Sequence, residues 1–82
     1  MFYTYVLYSE SFRKTYVGFT SNLEGRLLAH NHPQNKGYTK RFQPWIILYS
    51  EEFEFQHEAM VREQQLKTGQ GRVFIQSLIS AL

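Results

Sequence analysis

No cysteine occurs among the 82 residues, so neither a disulfide framework nor a cysteine-based zinc site can hold this fold. No apolar run approaches the roughly 18 residues that a membrane helix needs. The chain also enters a strand pattern directly from Met1, without a basic segment leading into an apolar stretch. These absences lead us to expect a soluble, cytoplasmic protein. Excess charge is scarce too: a net charge of +2 and a pI near 9.0 permit a nucleic-acid partner but do not by themselves argue for one. Repeats, linkers and low-complexity tracts are missing, so residues 1–82 read as one domain. The chain is instead rich in aromatic residues, with seven Phe, six Tyr and one Trp. A chain of 9.8 kDa buries only about 60–65% of its unfolded surface, and a core of large side chains offsets that handicap.

The pattern along the chain predicts α+β architecture in the order β-β-α-β-α-α, a three-stranded antiparallel sheet flanked by helices. From Phe2 to Ser9 the β-formers alternate, with Tyr3, Tyr5 and Leu7 on one face. Thr15 to Thr20 is also β-rich, and the short polar link Glu10–Lys14 favours a hairpin. With Tyr8 opposite Thr15, Tyr5 falls opposite Gly18 and Tyr16 lies diagonally from Tyr5 on the same face. Ser21-Asn22-Leu23-Glu24 has the form of a capping box and predicts a helix from about Asn22 to His30, with Leu23 and Leu27 buried and Arg26 and His30 stacked beside them. Asn31 to Pro44 carries turn residues and no period, hence a loop. Trp45 to Tyr49 is an apolar run of strand length, followed by a solvated cluster of Glu51, Glu52, Glu54 and Glu58. A second helix is expected from Gln56 to Lys67, ended by Thr68-Gly69, and a third from Arg72 to Leu82.

Glu63 is the misfit in the helical pattern. Phe55, Ala59 and Leu66 cluster on one side of the second helix, and Glu63 falls inside that stripe. A carboxylate there has to be paired, protonated or metal-bound. Arg26 or Lys67 could pair with it, and Mg²⁺, which keeps most of its waters and often takes one or two protein carboxylates, could equally sit on it. His30 and His32 are two apart and point away from each other, which argues against a paired-histidine metal site, and His57 reads as a surface residue.

With these residues in view, the chain resembles the GIY-YIG nuclease superfamily, specifically its small stand-alone bacterial members, and is similar to the catalytic domains of the DNA-repair excinuclease and of homing endonucleases. Tyr3-Thr4-Tyr5 looks like the GIY element and Tyr16-Val17-Gly18 like the YIG element. Phe19-Thr20-Ser21-Asn22-Leu23 and Arg26 match the family's helix, His30 takes the position one turn later, and Glu58 to Lys67 resembles the segment that supplies the metal-binding glutamate, here Glu63. The resemblance implies phosphodiester hydrolysis of DNA with one divalent ion, Mg²⁺ or Mn²⁺. Tyr16 would be the general base on water, Tyr5 and His30 would hold protons and position groups, Arg26 would stabilise transition-state charge and Glu63 would hold the metal. Phe19 stands where some members have an active-site lysine, and no Asn follows Asn35 to match the late asparagine of larger members.

For substrate, the loop interleaves Lys36, Lys40 and Arg41 with Tyr38 and Phe42, the mix that grips a phosphate backbone while stacking on bases or sugars. Lys67 is a further candidate contact. Branched, nicked or damaged DNA are the candidate forms. Two other readings compete: a nucleic-acid-binding module of the same fold that no longer cleaves, and a protein-interaction or homodimer surface formed by Phe74, Ile75, Ile79 and Leu82 on the last helix.

Overall fold

The computed structural model describes all 82 residues, Met1–Leu82. Strand β1 (Phe2–Ser9) pairs antiparallel with β2 (Lys14–Thr20) on one side and β3 (Ile46–Phe53) on the other, giving the sheet order β2-β1-β3. Helix α1 (Leu23–Asn31) and a 3-10 turn (Tyr38–Phe42) precede β3, and α2 (Gln56–Leu66) and α3 (Gly69–Ser80) follow it. This is the expected α+β order. No helix is long and apolar enough to cross a membrane.

β1 is central because it can be covered from both sides: Thr4 through Ser9 are all buried. The alternation of its side chains divides the core in two. Tyr5, Leu7 and Trp45 form one cluster with Tyr16, Leu23, Leu27, Phe42 and Ile47 around it, covered by α1 and the 3-10 turn. Val6, Leu66 and Ile75 form the other with Val17, Leu48, Tyr49, Phe74 and Ile79, under α2 and α3. The hairpin register is the expected one, with Tyr8 opposite Thr15 and Tyr5 opposite Gly18. A bulge between Val6 and Leu7 shifts the pairing with β3, so that Val6 faces Tyr49 and Leu7 faces Ile47.

Several local expectations are corrected. Asn22, not Ser21, caps α1, its Oδ1 accepting from the Gly25 amide at 3.0 Å; the helix therefore starts one residue later than a Ser21 capping box requires. The loop after α1 contains the 3-10 turn, which a search for the 3.6-residue period cannot find in so short a piece. At the base of that loop Asn31 imitates a strand neighbour: its amide donates to the Trp45 carbonyl at 2.9 Å and accepts from the Trp45 amide at 2.6 Å. β3 runs on to Phe53, carrying Glu51 and Glu52 into the sheet. Glu51 is no solvated charge, because it accepts from Arg62 Nε at 2.6 Å and Tyr49 Oη at 2.7 Å, tying β3 to α2. Glu58 likewise accepts from the Phe55 amide at 3.1 Å at the start of α2.

Thr68 does not end α2 but opens α3, accepting from the Gly71 amide, so α3 begins at Gly69 rather than Arg72. The joint is tight: a Cβ on Gly71 would lie 2.3 Å from the Leu66 carbonyl oxygen. Phe55 is exposed instead of lying on the buried stripe of α2 with Ala59 and Leu66. Phe74, Ile75 and Ile79 are absorbed by the core, which leaves Leu82 exposed at the chain end and removes the continuous apolar face expected of the last helix.

Candidate active site

Strand alternation brings Tyr5 and Tyr16 to one face, with ring centroids 6.3 Å apart. Gly18 permits this. A Cβ at position 18 would lie 2.7 Å from Tyr5 Oη and 3.2 Å from Tyr16 Cε1, so only glycine leaves room for both phenols. α1 crosses this face and delivers His30, whose ring centroid stands 4.8 Å from that of Tyr16. A cleft of about 280 Å³ opens here, lined by Tyr16, Arg26, His30, Asn35, Tyr38 and Thr39 among others.

Buried hydrogen bonds fix the state of His30. Tyr5 Oη and His30 Nε2 are 3.1 Å apart, and His30 Nδ1 and Thr39 Oγ1 are 2.9 Å apart. Asn35 orders the far end of this chain. Its Oδ1 accepts from the Gly37 amide, so its Nδ2 faces Thr39 Oγ1 at 2.8 Å and the His30 carbonyl at 3.1 Å as a donor. Thr39 Oγ1 therefore accepts from Asn35, and the Thr39 hydroxyl hydrogen has one acceptor within reach, His30 Nδ1. With Thr39 buried, any other arrangement strands that hydrogen at a cost of about 1–3 kcal/mol. His30 in its neutral form thus carries its proton on Nε2 and donates to Tyr5 Oη.

Electrostatics agree with a neutral pair. Burial, aided by the nearby Arg26 cation, holds His30 below its ordinary value. Burial also pushes the Tyr5 phenol upward, with smaller contributions in the same direction from Tyr16 and Glu63, while Arg26 works against them. Tyr5 stays protonated and positions its neighbours. Tyr16, half-buried and lining the cleft, is the phenol that a ligand meets.

Glu63 does not line this cleft. It lies on α2 with its side chain only 14% exposed, and its carboxylate faces Lys67 Nζ at 3.5 Å and Gln64 Nε2 at 3.4 Å. Lys67 is thus its partner, not Arg26. Lys67 in turn lines a second cleft, of which Tyr16 is also a wall. Glu63 consequently belongs to the far side of Tyr16, near enough for its charge to act on the Tyr5 phenol. As a metal site, one largely covered carboxylate without companion acids or histidines suits an ion that retains most of its water shell, which is the behaviour of Mg²⁺.

The residues read as nucleic-acid contacts are dispersed. Tyr38 is exposed at the mouth of the first cleft. Lys40 donates to the Pro33 carbonyl, Arg41 lies over the Phe42 ring at 5.8 Å, and Lys36 is exposed. Phe19 pairs with Thr4 and takes the sheet face opposite Tyr16, so its side chain is not a neighbour of the Tyr16 phenol. Asn35 and Thr39 were not marked as site residues by the sequence; they lie in an aperiodic stretch, and only the fold brings them to His30.

Two phenols, a histidine and an arginine on one sheet face, with a glutamate on a covering helix, define a small α+β domain of a nuclease family. Residues 1–73 match the GIY-YIG catalytic domain, and the chain belongs to that family. It is similar to a UPF0213 protein of Pediococcus pentosaceus, with 42% identity over 80% of this chain and 68% of the relative. It is also similar to a UPF0213 protein of Staphylococcus haemolyticus, with 42% identity over 65% of each chain, so the match spans just under two thirds of that relative. The solution NMR structure of a UPF0213 protein from Bacillus halodurans shares the fold at a TM-score of 0.54 and 25% identity, over 95% of this chain and 85% of that one.

Proposed function

We propose that this protein is a metal-dependent endonuclease that hydrolyses DNA phosphodiester bonds, with branched, nicked or damaged DNA as the candidate substrates and residues 1–82 working as one unit. The observation that carries the reading is the convergence of Tyr16, Arg26 and a neutral, hydrogen-bonded His30 on one cleft.

In this reading Tyr16, as phenolate, takes a proton from the water that attacks phosphorus. A free phenol has a pKa of about 10, so the Arg26 cation beside the cleft is needed to favour the ionised form. Arg26 also meets the charge that builds on the phosphate oxygens. His30 and Tyr5 act as a neutral pair that holds the cleft face in one protonation state. Glu63 would hold the divalent ion, Mg²⁺ or Mn²⁺, which when bound supplies charge neutralisation at the phosphate and support for the leaving oxygen. Tyr38, Lys36, Lys40, Arg41 and Lys67 contribute contacts to the sugar-phosphate backbone and bases.

The test is incubation of purified protein with supercoiled and four-way-branched DNA, with and without Mg²⁺ or Mn²⁺, beside Tyr16→Phe and Glu63→Ala proteins shown to be folded by circular dichroism. Metal-dependent cleavage that drops by about 100-fold or more in both variants is the expected result. Cleavage that persists in both folded variants, or no cleavage by the unaltered protein with either ion, overturns it.

A further inference from the structure

The net charge of +2 conceals a strong separation of charge across the sheet. β2 and β3 are opposite edges. Glu51 and Glu52 lie in β3, and Glu54 and Glu58 follow it into α2. Around β2 gather Lys14 at its start, Arg26 on the first cleft, and Lys67 and Arg72 from the α2–α3 joint. A polyanion therefore meets an attractive edge and a repulsive one.

A second cleft, of about 360 Å³, opens beside the β2 edge between Thr15, Tyr16 and Val17 on the strand and Leu66, Lys67 and Arg72 on the helices. Tyr16 is the wall that it shares with the first cleft. Arg72 is exposed and has no acidic partner, since the ion pairs of the molecule are Arg62–Glu51 and Lys67–Glu63. Its place is electrostatically awkward: it stands four residues into α3, near the positive end of the helix dipole, where a cation gains nothing. The close seating of Gly71 on the Leu66 carbonyl fixes the point from which Arg72 leaves the helix. An arriving anion would relieve both the unpaired guanidinium and the helix end.

We propose that this second cleft is a phosphate subsite for a DNA strand that crosses the β2 edge at Tyr16, with one phosphodiester against Arg26 and its neighbour against Arg72 and Lys67. The assignment of DNA rests on the nuclease reading; the cleft, its cations and its shared wall do not. The strand's direction of travel is then set by the sheet: from the loop carrying Tyr38, over Tyr16, toward the α2–α3 joint.

Fluorescence anisotropy with a labelled single-stranded oligodeoxynucleotide, in EDTA so that no cleavage intervenes, tests the subsite across a salt series. Arg72→Gln is expected to weaken binding roughly three- to ten-fold and to lower the slope of log K against log salt by about 0.7, the share of one phosphate contact on a single strand. Glu54→Gln, on the opposite edge, is expected to leave the slope unchanged. Arg72→Gln binding with the unaltered affinity and slope overturns the proposal, as does absence of binding by the unaltered protein. Amide shifts on titration give a second readout: perturbation at Thr15, Val17 and Arg72 supports the subsite, and perturbation confined to residues 51–58 overturns it. Arg72-dependent binding in a protein that cuts nothing would keep the subsite and discard hydrolysis. Cleavage with binding indifferent to Arg72 would do the reverse.

Discussion

At the scale of single residues the candidate site is held by two constraints, one of space and one of protons. Gly18 supplies the space. In Gly18→Ala the new methyl meets the Tyr5 hydroxyl, which is buried and hydrogen-bonded to His30 and so has no easy retreat. Thermal melts are expected to register a loss of about 1–3 kcal/mol, while cleavage falls by ten-fold or more because the phenol pair separates. Thr39 supplies the proton constraint. Thr39→Val keeps the shape but removes the donor to His30 Nδ1, so the imidazole shifts toward the other tautomer; ¹⁵N-correlated NMR of the histidine ring should show that shift, and Thr39→Ser should restore the original pattern. An unchanged tautomer in Thr39→Val would contradict the hydrogen-bond accounting. Tyr5, Tyr16 and Gly18 were legible in the sequence because a two-residue period and a short turn fix their register. Thr39 and Asn35 were not, because nothing local in an aperiodic segment states which distant ring it will meet.

At the scale of elements, α2 carries both Glu63 and the Lys67 that occupies it. The pair is half-exposed, worth up to about 1 kcal/mol, and it competes with any cation arriving at the carboxylate. Lys67→Met is expected to tighten Mn²⁺ binding by about two- to five-fold in a titration followed by electron paramagnetic resonance; weaker binding would place the ion elsewhere. The α2–α3 joint makes a second demand. Gly71→Ala forces a methyl into the Leu66 carbonyl, and chemical denaturation is expected to show a loss of about 1–3 kcal/mol without any change at Tyr16. Existence and order of all six elements followed from periodicity, and their ends did not. Thr68 reads equally well as a stop and as an N-cap, and Glu51 and Glu52 look solvated until Arg62 and Tyr49 are brought to Glu51 by the fold.

At the scale of the whole molecule, stability should carry the signature of the buried histidine. Because His30 titrates below its ordinary value in the folded protein, the unfolded chain binds more protons on the acid side of pH 6.5. The contribution is therefore complete above that pH and declines as pH falls through 6.5 and on through the folded value. Melting temperatures between pH 7.5 and 5 should fall more steeply for the unaltered protein than for His30→Gln. Equal slopes would mean that the ring is freely solvated. Glu51 acts lower down. Burial alone would raise its carboxyl, but hydrogen bonds from Arg62 and Tyr49 outweigh that and depress it, so its support fades only below pH 4.5. The clasp of Asn31 on Trp45, finally, closes the segment between them into a ring anchored at its base. A ligand reaching Tyr38 meets backbone whose freedom was already surrendered during folding, so engagement there carries little entropic penalty, and the tip of that ring can diversify in sequence while the sheet beneath is left undisturbed.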